Sequence, residues 1–231
     1  MKIAIFSDIH GNLEALQSVA EAWDELWVLG DLVNYGPNPA EVVDFVRQNA
    51  AVVIRGNHDH AVGAGEDPRC SPAFREMAQT MQAYTESVLS DDQKAYLRRL
   101  PPSAQMEVDG RRFFLCHAAP SDPLFKYGPT EAAFWTPEAA AVTADILLVG
   151  HTHLPFVMDL GAQRVANPGS VGQPKHGVPE ACYAVWEDGA ISLRSCRYPV
   201  EETVRKVLAL PIDIRVRRQL TAVLTIGALA L

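Results

Sequence analysis

Residues Lys2 to Phe6 form a short apolar run that gives way at Ser7-Asp8-Ile9-His10-Gly11-Asn12 to helical spacing through Leu13, Leu16, Val19, Ala20 and Trp23. The pattern predicts strand, polar loop, helix. Glu25 to Leu29 reads as a second strand closed by Gly30-Asp31, with a helix expected from about Pro39 to Arg47. A third apolar run, Val52 to Arg55, stops abruptly at Gly56-Asn57-His58-Asp59. Three successive βα units predict a largely parallel sheet whose ligand crevice lies along the C-terminal ends of its strands. Asp8 and His10 are two apart, so an extended Ile9 would turn both side chains to one side.

From about 61 to 102 the spacing is helical, with Phe74, Met77, Met81, Tyr84 and Val88 three and four residues apart and Ser90-Asp91-Asp92-Gln93 as an N-terminal cap. We expect a helical insertion there, within one domain covering 1–231, and read its Met and aromatic residues as packing. Strands are expected at Met106 to Val108 and Arg112 to Cys116, the latter ending in His117. A helix near Pro137 to Val142 and a strand from Ile146 to Val149 follow, the strand ending in Gly150-His151-Thr152-His153. The last third reads as antiparallel: Arg164 to Ala166, the loop Asn167-Pro168-Gly169-Ser170-Val171-Gly172, and a hairpin from Ala181 to Tyr198 turning at Glu187-Asp188-Gly189.

Composition narrows the class. Hydrophobic residues at 48% and charged residues at 21% leave little room for long disordered segments. A net charge of −8 opposes an extensive nucleic-acid-binding surface, which would need a basic stripe. The four cysteines show no CxxC pairing, which favours reduced thiols and a cytoplasmic protein, and no secretory signal precedes the first strand. The apolar run Leu220 to Leu231 is shorter than the roughly 20 residues that span a bilayer, so we expect a docking helix and no stable membrane insertion.

The chemistry collects at strand ends: Asp8, His10, Asp31, Asn57, His58, His117, His151 and His153, including five of the seven histidines. One such histidine is more often structural, but repetition at five strand ends points to metal. Carboxylates, imidazoles and an amide oxygen without thiolate suit Mn²⁺, Fe or Zn²⁺. Seven candidate ligands exceed what one ion with an open water position uses, so two ions are expected. Asn57 reads as a ligand and His58, beside it, as a proton donor. Cys116 should point away from His117, into the core.

In order, Asp8-x-His10, Gly30-Asp31, Gly56-Asn57-His58-Asp59, the isolated His117 and Gly150-His151-Thr152-His153 resemble the motif set of the calcineurin-like metallophosphoesterases. The loops from Gly30 to Pro39 and from Asn167 to Pro174 resemble the bacterial and archaeal phosphodiesterase branch. The resemblance implies an α/β (α+β) fold, a four-layer αββα sandwich of two mixed β-sheets flanked by helices. It implies one metal on Asp8, His10 and His153, a second on Asn57, His117 and His151, and Asp31 bridging. Asp59 would orient His58, with a turn residue as the alternative. Arg55 matches a position that contacts phosphate in some relatives, with a strand-end surface charge as the alternative.

The activity implied is metal-dependent hydrolysis of a small-molecule phosphate ester by a phosphodiesterase or phosphatase. A metal-bridging hydroxide would attack phosphorus and His58 would act as general acid, a role typically contributing about 10²–10⁴-fold. Mn²⁺ is the expected ion, with Fe, Zn²⁺ and Ni²⁺ as alternatives. Two other readings stand beside this one: a non-catalytic interaction module on the same fold, and a protein Ser/Thr phosphatase, which the loop sequences disfavour. Substrate and oligomeric state are not named by the sequence. Selectivity is expected from the insertion and from the loops Asn34 to Pro39 and Asn167 to Pro174.

Overall fold

Strand β1 (Ile3–Phe6) is buried on both faces and divides its side chains between two cores. Ala4 and Phe6 join a cluster containing Ala15 and Leu16 of helix α1 (Leu13–Ser18) and Val42, Val43 and Val46 of helix α2 (Pro39–Asn49). Ile3 and Ile5 face a second cluster whose other side belongs to a different sheet. This two-sided burial is why the strand reads as a continuous apolar run.

The computed structural model describes residues 1–228. Its first sheet also contains β2 (Glu25–Val28), β3 (Val52–Val53), β9 (Ala181–Glu187) and β10 (Ala190–Cys196), in the order β10-β9-β1-β2-β3. β1 runs parallel to β2 and antiparallel to β9. The second sheet has the order β4-β5-β6-β8-β7, from β4 (Ser103–Val108), β5 (Arg111–Cys116), β6 (Ile146–Leu148), β7 (Phe156–Asp159) and β8 (Arg164–Asn167).

The faces fix the layers. Ile3, Ile5, Trp27 and Leu29 of the first sheet pack on Phe113, Leu115, Ile146 and Leu148 of the second. The outer face of the second sheet, with Cys116, Leu147 and Val165, buries Trp135 and Ala139 of helix α6 (Ala132–Ala140). The result is two mixed five-stranded sheets between helices, with Cys116 in the outer core as expected.

Between β3 and β4 the chain runs through α3 (Asn57–Ala64), a 3₁₀ turn at Pro72–Phe74, α4 (Arg75–Val88) and α5 (Asp91–Arg99). Ser90 and Gln93 cap α5 reciprocally, with N–H to side-chain oxygen distances of 3.2 and 3.1 Å. Phe74, Met77 and Met81 pack against α7 (Val200–Leu208) and α8 (Ile214–Ile226). Of the apolar C-terminal run, Leu220, Val223 and Leu224 dock in this cluster, and 229–231 lie outside the described residues. No helix among the described residues is long and apolar enough to cross a membrane.

Three expectations need correction. The last third is not uniformly antiparallel, because β8 pairs parallel with β6 and antiparallel with β7. β3 is shorter than expected: Ile54 still donates to the Val28 carbonyl, but Arg55 N–H turns to Pro101, so the ladder ends there. α1 stops at Ser18, five residues before Trp23.

Candidate metal centre

All the strand-end residues singled out above, except Arg55, lie together at the C-terminal edges of β1, β2, β3, β5 and β6. Asp8, His10 and His153 form one buried triad; Asp31, His117 and His151 form another. His10 Nε2 is 3.7 Å from Asp8 Oδ1 and 3.2 Å from His153 Nε2, and His153 Nε2 is 3.2 Å from Asp8 Oδ1. His117 Nε2 is 3.2 Å from Asp31 Oδ2, 3.2 Å from His151 Nδ1 and 3.1 Å from Asn57 Oδ1. Asp31 Oδ2 also lies 3.8 Å from His10 Nε2, so this carboxylate reaches both groups.

The local backbone differs from the extended arrangement expected at Asp8 and His10. Both have positive φ, 54° and 47°, as do Asp31 (56°), His151 (67°) and His153 (61°). Left-handed conformations cost about 1–3 kcal/mol each at non-glycine positions and collect at functional sites. Backbone hydrogen bonds offset them: Asp8 donates to Gly30, His10 to Asp31 and Gly11 to Leu32, at 2.8–3.0 Å. Gly30 itself (φ 88°) passes so close to the Gly56 backbone that a Cβ would collide with it.

Surrounding groups decide which atoms face inward. The Nδ1–H groups of His10, His117 and His153 donate to the carbonyls of Val33, Leu29 and Gln173 at 2.9, 2.8 and 2.5 Å. Each Nε2 is thereby turned toward the cluster, the arrangement of metal-binding imidazoles. Asp8 Oδ2 accepts from Ser7 Oγ (2.6 Å) and His151 N–H (3.1 Å), while buried Oδ1 has no hydrogen-bond partner. Asn57 donates its amide to the Pro68 carbonyl at 2.7 Å, which aims Oδ1 inward. Two imidazole lone pairs 3.2 Å apart, as on His10 and His153, cannot bond to one another; a cation between them resolves the contact.

The charges agree. Burial opposes ionisation of Asp8 and Asp31, but neighbouring imidazoles, His153 foremost at Asp8 and His117 at Asp31, hold both carboxyls below their ordinary range. Burial pushes His10 and His151 down, so those rings are neutral. At His117 burial acts in the same direction, but the Asp31 carboxylate outweighs it and raises the ring to about 9. The carboxylates thus demand positive charge at this spot.

His58 lies beside the cluster, its backbone N–H on Asp31 Oδ1 at 2.9 Å and its ring 5.1 Å from that of His10. Its Nδ1 faces the Asn34 amide nitrogen at 2.8 Å. Asn34 Oδ1 is itself buried without a partner, and the amide turned about would accept from Nδ1–H, leaving Nε2 as the ring atom free of Asn34. That Nε2 is 3.3 Å from Cys70 Sγ, and burial lowers the ring to about 4. Asp59 does not orient the ring: Oδ1 accepts from Leu32 N–H at 2.8 Å, and Oδ2 from Asp31 and Gly56 at 2.8 and 3.0 Å. Burial and the Asp31 charge push Asp59 up to about 7 against those donors. Arg55 stands apart, its guanidinium donating to the Arg98 carbonyl at 3.1 Å.

Sequence reasoning missed four neighbours. Asn34 and Cys70 hold the two ring nitrogens of His58. Lys175 Nζ is 3.3 Å from His153 Nε2, and Tyr127 stacks on His151 with ring centres 4.0 Å apart. Lys175 is lowered to about 8 by burial, opposed by Asp8 and Asp31. The loop from Asn167 to Pro174, expected to select substrate, is instead a buried buttress: Asn167 donates to Gly150, Ser170 to the Asp8 carbonyl, and Gln173 accepts from His153.

Residues 1–188 match the sequence profile of the calcineurin-like phosphoesterase superfamily domain. The chain is similar to the crystal structure of a metallophosphoesterase from Sphaerobacter thermophilus, with 30% identity, a TM-score of 0.81, and coverage of 96% of this chain and 99% of that one. It is 28% identical to phosphodiesterase YfcE of Escherichia coli K12 across 84% of this chain and 91% of that protein. An uncharacterized protein of Methanocaldococcus jannaschii is also 28% identical, across 89% and 91%.

Proposed function

We propose a specific chemistry for this chain, which belongs to the calcineurin-like phosphoesterase superfamily and is a phosphoric ester hydrolase: dinuclear, Mn²⁺-supported cleavage of a small phosphodiester. The observation that carries it is the pair of buried triads, with inward-facing ring nitrogens and an unpartnered Asp8 oxygen. Asp8, His10 and His153 would hold one ion, Asn57, His117 and His151 the other, with Asp31 shared. Oxygen and imidazole donors without a thiolate favour Mn²⁺ over a thiophilic ion. Two divalent ions bound there acidify water and neutralise phosphate oxygens.

The remaining work falls to side chains. His10, His117 and His153 are held by backbone carbonyls and need no reorganisation to keep Nε2 inward. His58, as an imidazolium, would give its Nε2 proton to the departing ester oxygen as the P–O bond breaks and be left a neutral ring, with Asn34 holding the ring at Nδ1. Cys70 Sγ marks the direction in which that N–H points.

The test is hydrolysis of bis-p-nitrophenyl phosphate by the Mn²⁺-loaded protein, compared with phosphopeptides. Diester turnover is expected, and its absence across a panel of metals and esters would overturn the reading. His58→Ala is expected to lose about 10²–10⁴-fold in turnover while two ions remain by elemental analysis. Loss of an ion would instead make His58 a ligand.

A further inference from the structure

A cavity of about 360 Å³ opens beside the two triads, lined by Phe74, Tyr127, Pro129, Thr152, Leu154 and Lys175 among others. Two of these residues tie it to the metal centre: Tyr127 is stacked on His151, and Lys175 Nζ is beside His153 Nε2. The same ammonium lies 4.3 Å over the Phe74 ring, so one cation links an aromatic wall to the ligand cluster. Tyr127 and Leu154 are 46% and 36% exposed, surfaces that a chain without an occupant for this cavity has no reason to leave open beside a buried polar centre.

The lining specifies the occupant. Its walls are largely apolar and aromatic, no carboxylate lines them, and Lys175 is their one cation. The volume falls within the range of small-molecule sites and accommodates a ring with its attached phosphate. Resting on the phosphoesterase reading above, we propose that this cavity is the subsite for the ester's organic group. It takes a flat aromatic ring against Tyr127, while Lys175 pairs with the phosphate oxygens. The uncharged polar side chains in the lining are the hydroxyls of Ser71, Tyr127 and Thr152, each able to donate or accept, so the site selects for flatness and apolar area rather than for a particular base.

Binding calorimetry on the Mn²⁺-loaded protein tests this without turnover, using methylphosphonate, phenylphosphonate and an adenosine phosphonate. An aromatic stack corresponds to roughly 2- to 12-fold in affinity, so at least one aromatic ligand is expected to exceed methylphosphonate by that ratio. Which one gains more distinguishes an aryl ester from a nucleoside. Tyr127→Ala is expected to bring the ratio near one and Tyr127→Phe to preserve it; Lys175→Met should weaken all three ligands alike. Because Tyr127 touches His151, metal content is measured for each variant, and Leu154→Trp, which fills the cavity from another wall, is expected to remove the aromatic preference independently. Equal affinity for all three ligands in the unmodified protein, or a preference that survives both Tyr127→Ala and Leu154→Trp, overturns the assignment. Aromatic preference without ester hydrolysis would leave this subsite standing and sink the catalytic reading; hydrolysis without preference would do the reverse.

Discussion

At the scale of single residues, the centre is held by side chains that never face it. Asp59 accepts three backbone N–H groups, from Asp31, Leu32 and Gly56, and so pins the β2 turn to the start of α3. Removing the carboxylate strands three buried donors, each costing about 1–3 kcal/mol. Asp59→Ala is therefore expected to lower the melting temperature by at least roughly 6 °C, the smallest shift that three such donors give at about 2–4 °C per kcal/mol for a chain this long. It should also reduce bound metal below two ions per chain. A variant that melts like the parent and holds both ions would refute the clamp. The histidines were legible because polar residues at apolar strand ends are conspicuous locally. The Asp59 clamp was not, since a carboxylate three residues into a turn looks the same whether it orients a ring or collects amides. Asn34, Cys70, Lys175 and Tyr127 act on partners 24, 12, 22 and 24 positions away, which no local pattern records.

Among the elements, the segment between β5 and α6 matters most because it carries Tyr127. Ser121 and Lys126 hold it to Glu138 of α6, with distances of 2.7 and 2.6 Å to the carboxylate, and Trp135 Nε1 donates to Pro129 at 2.7 Å. Gly128 packs against the Trp135 ring, where a Cβ would collide, so Gly128→Ala is expected to displace the segment and lower stability. Burial alone would raise Glu138, but Lys126 and Ser121 hold it below its ordinary value. A depressed carboxyl contributes stability that is fully present above its unfolded value of 4.5 and is lost as pH falls through its lower folded value. The gap in urea midpoint between the parent and Glu138→Gln should therefore be constant near neutrality and close below about pH 4. A gap independent of pH would show that the charge contributes nothing. The element boundaries were readable where periodicity was unmixed, as in β1 and the β9–β10 hairpin. β7 was not read because it follows Leu154-Pro155 directly and carries Val157 outward at the sheet edge, which blurs its alternation. α7 was not expected either; its apolar face is completed only by α8, far along the chain.

For the whole molecule, the arrangement of the proposed ligands would make a bound metal a structural tie as well as a reagent. Asp8, His10, Asp31 and Asn57 leave the first sheet, while His117, His151 and His153 leave the second, so each proposed ion has ligands from both. Below this edge the sheets are joined by apolar packing, but at the edge itself imidazoles and carboxylates meet face to face. Without a cation, the interface there contains an unpartnered Asp8 oxygen and opposed ring nitrogens, both unfavourable in a buried setting. Ions that bind only the folded chain add about 2.7 kcal/mol apiece at a hundredfold excess over Kd. With about 2–4 °C per kcal/mol at this chain length, removing both is expected to lower the melting temperature by roughly 10–20 °C. The measurement is a melting curve before and after chelation, with Mn²⁺ added back. Asp31→Ala should show little of this shift, because its carboxylate reaches both triads and its loss weakens two ions at once. If chelation leaves the parent's melting temperature unchanged, the two sheets are joined by their apolar core alone, and the cluster does not bind metal strongly enough to act as proposed.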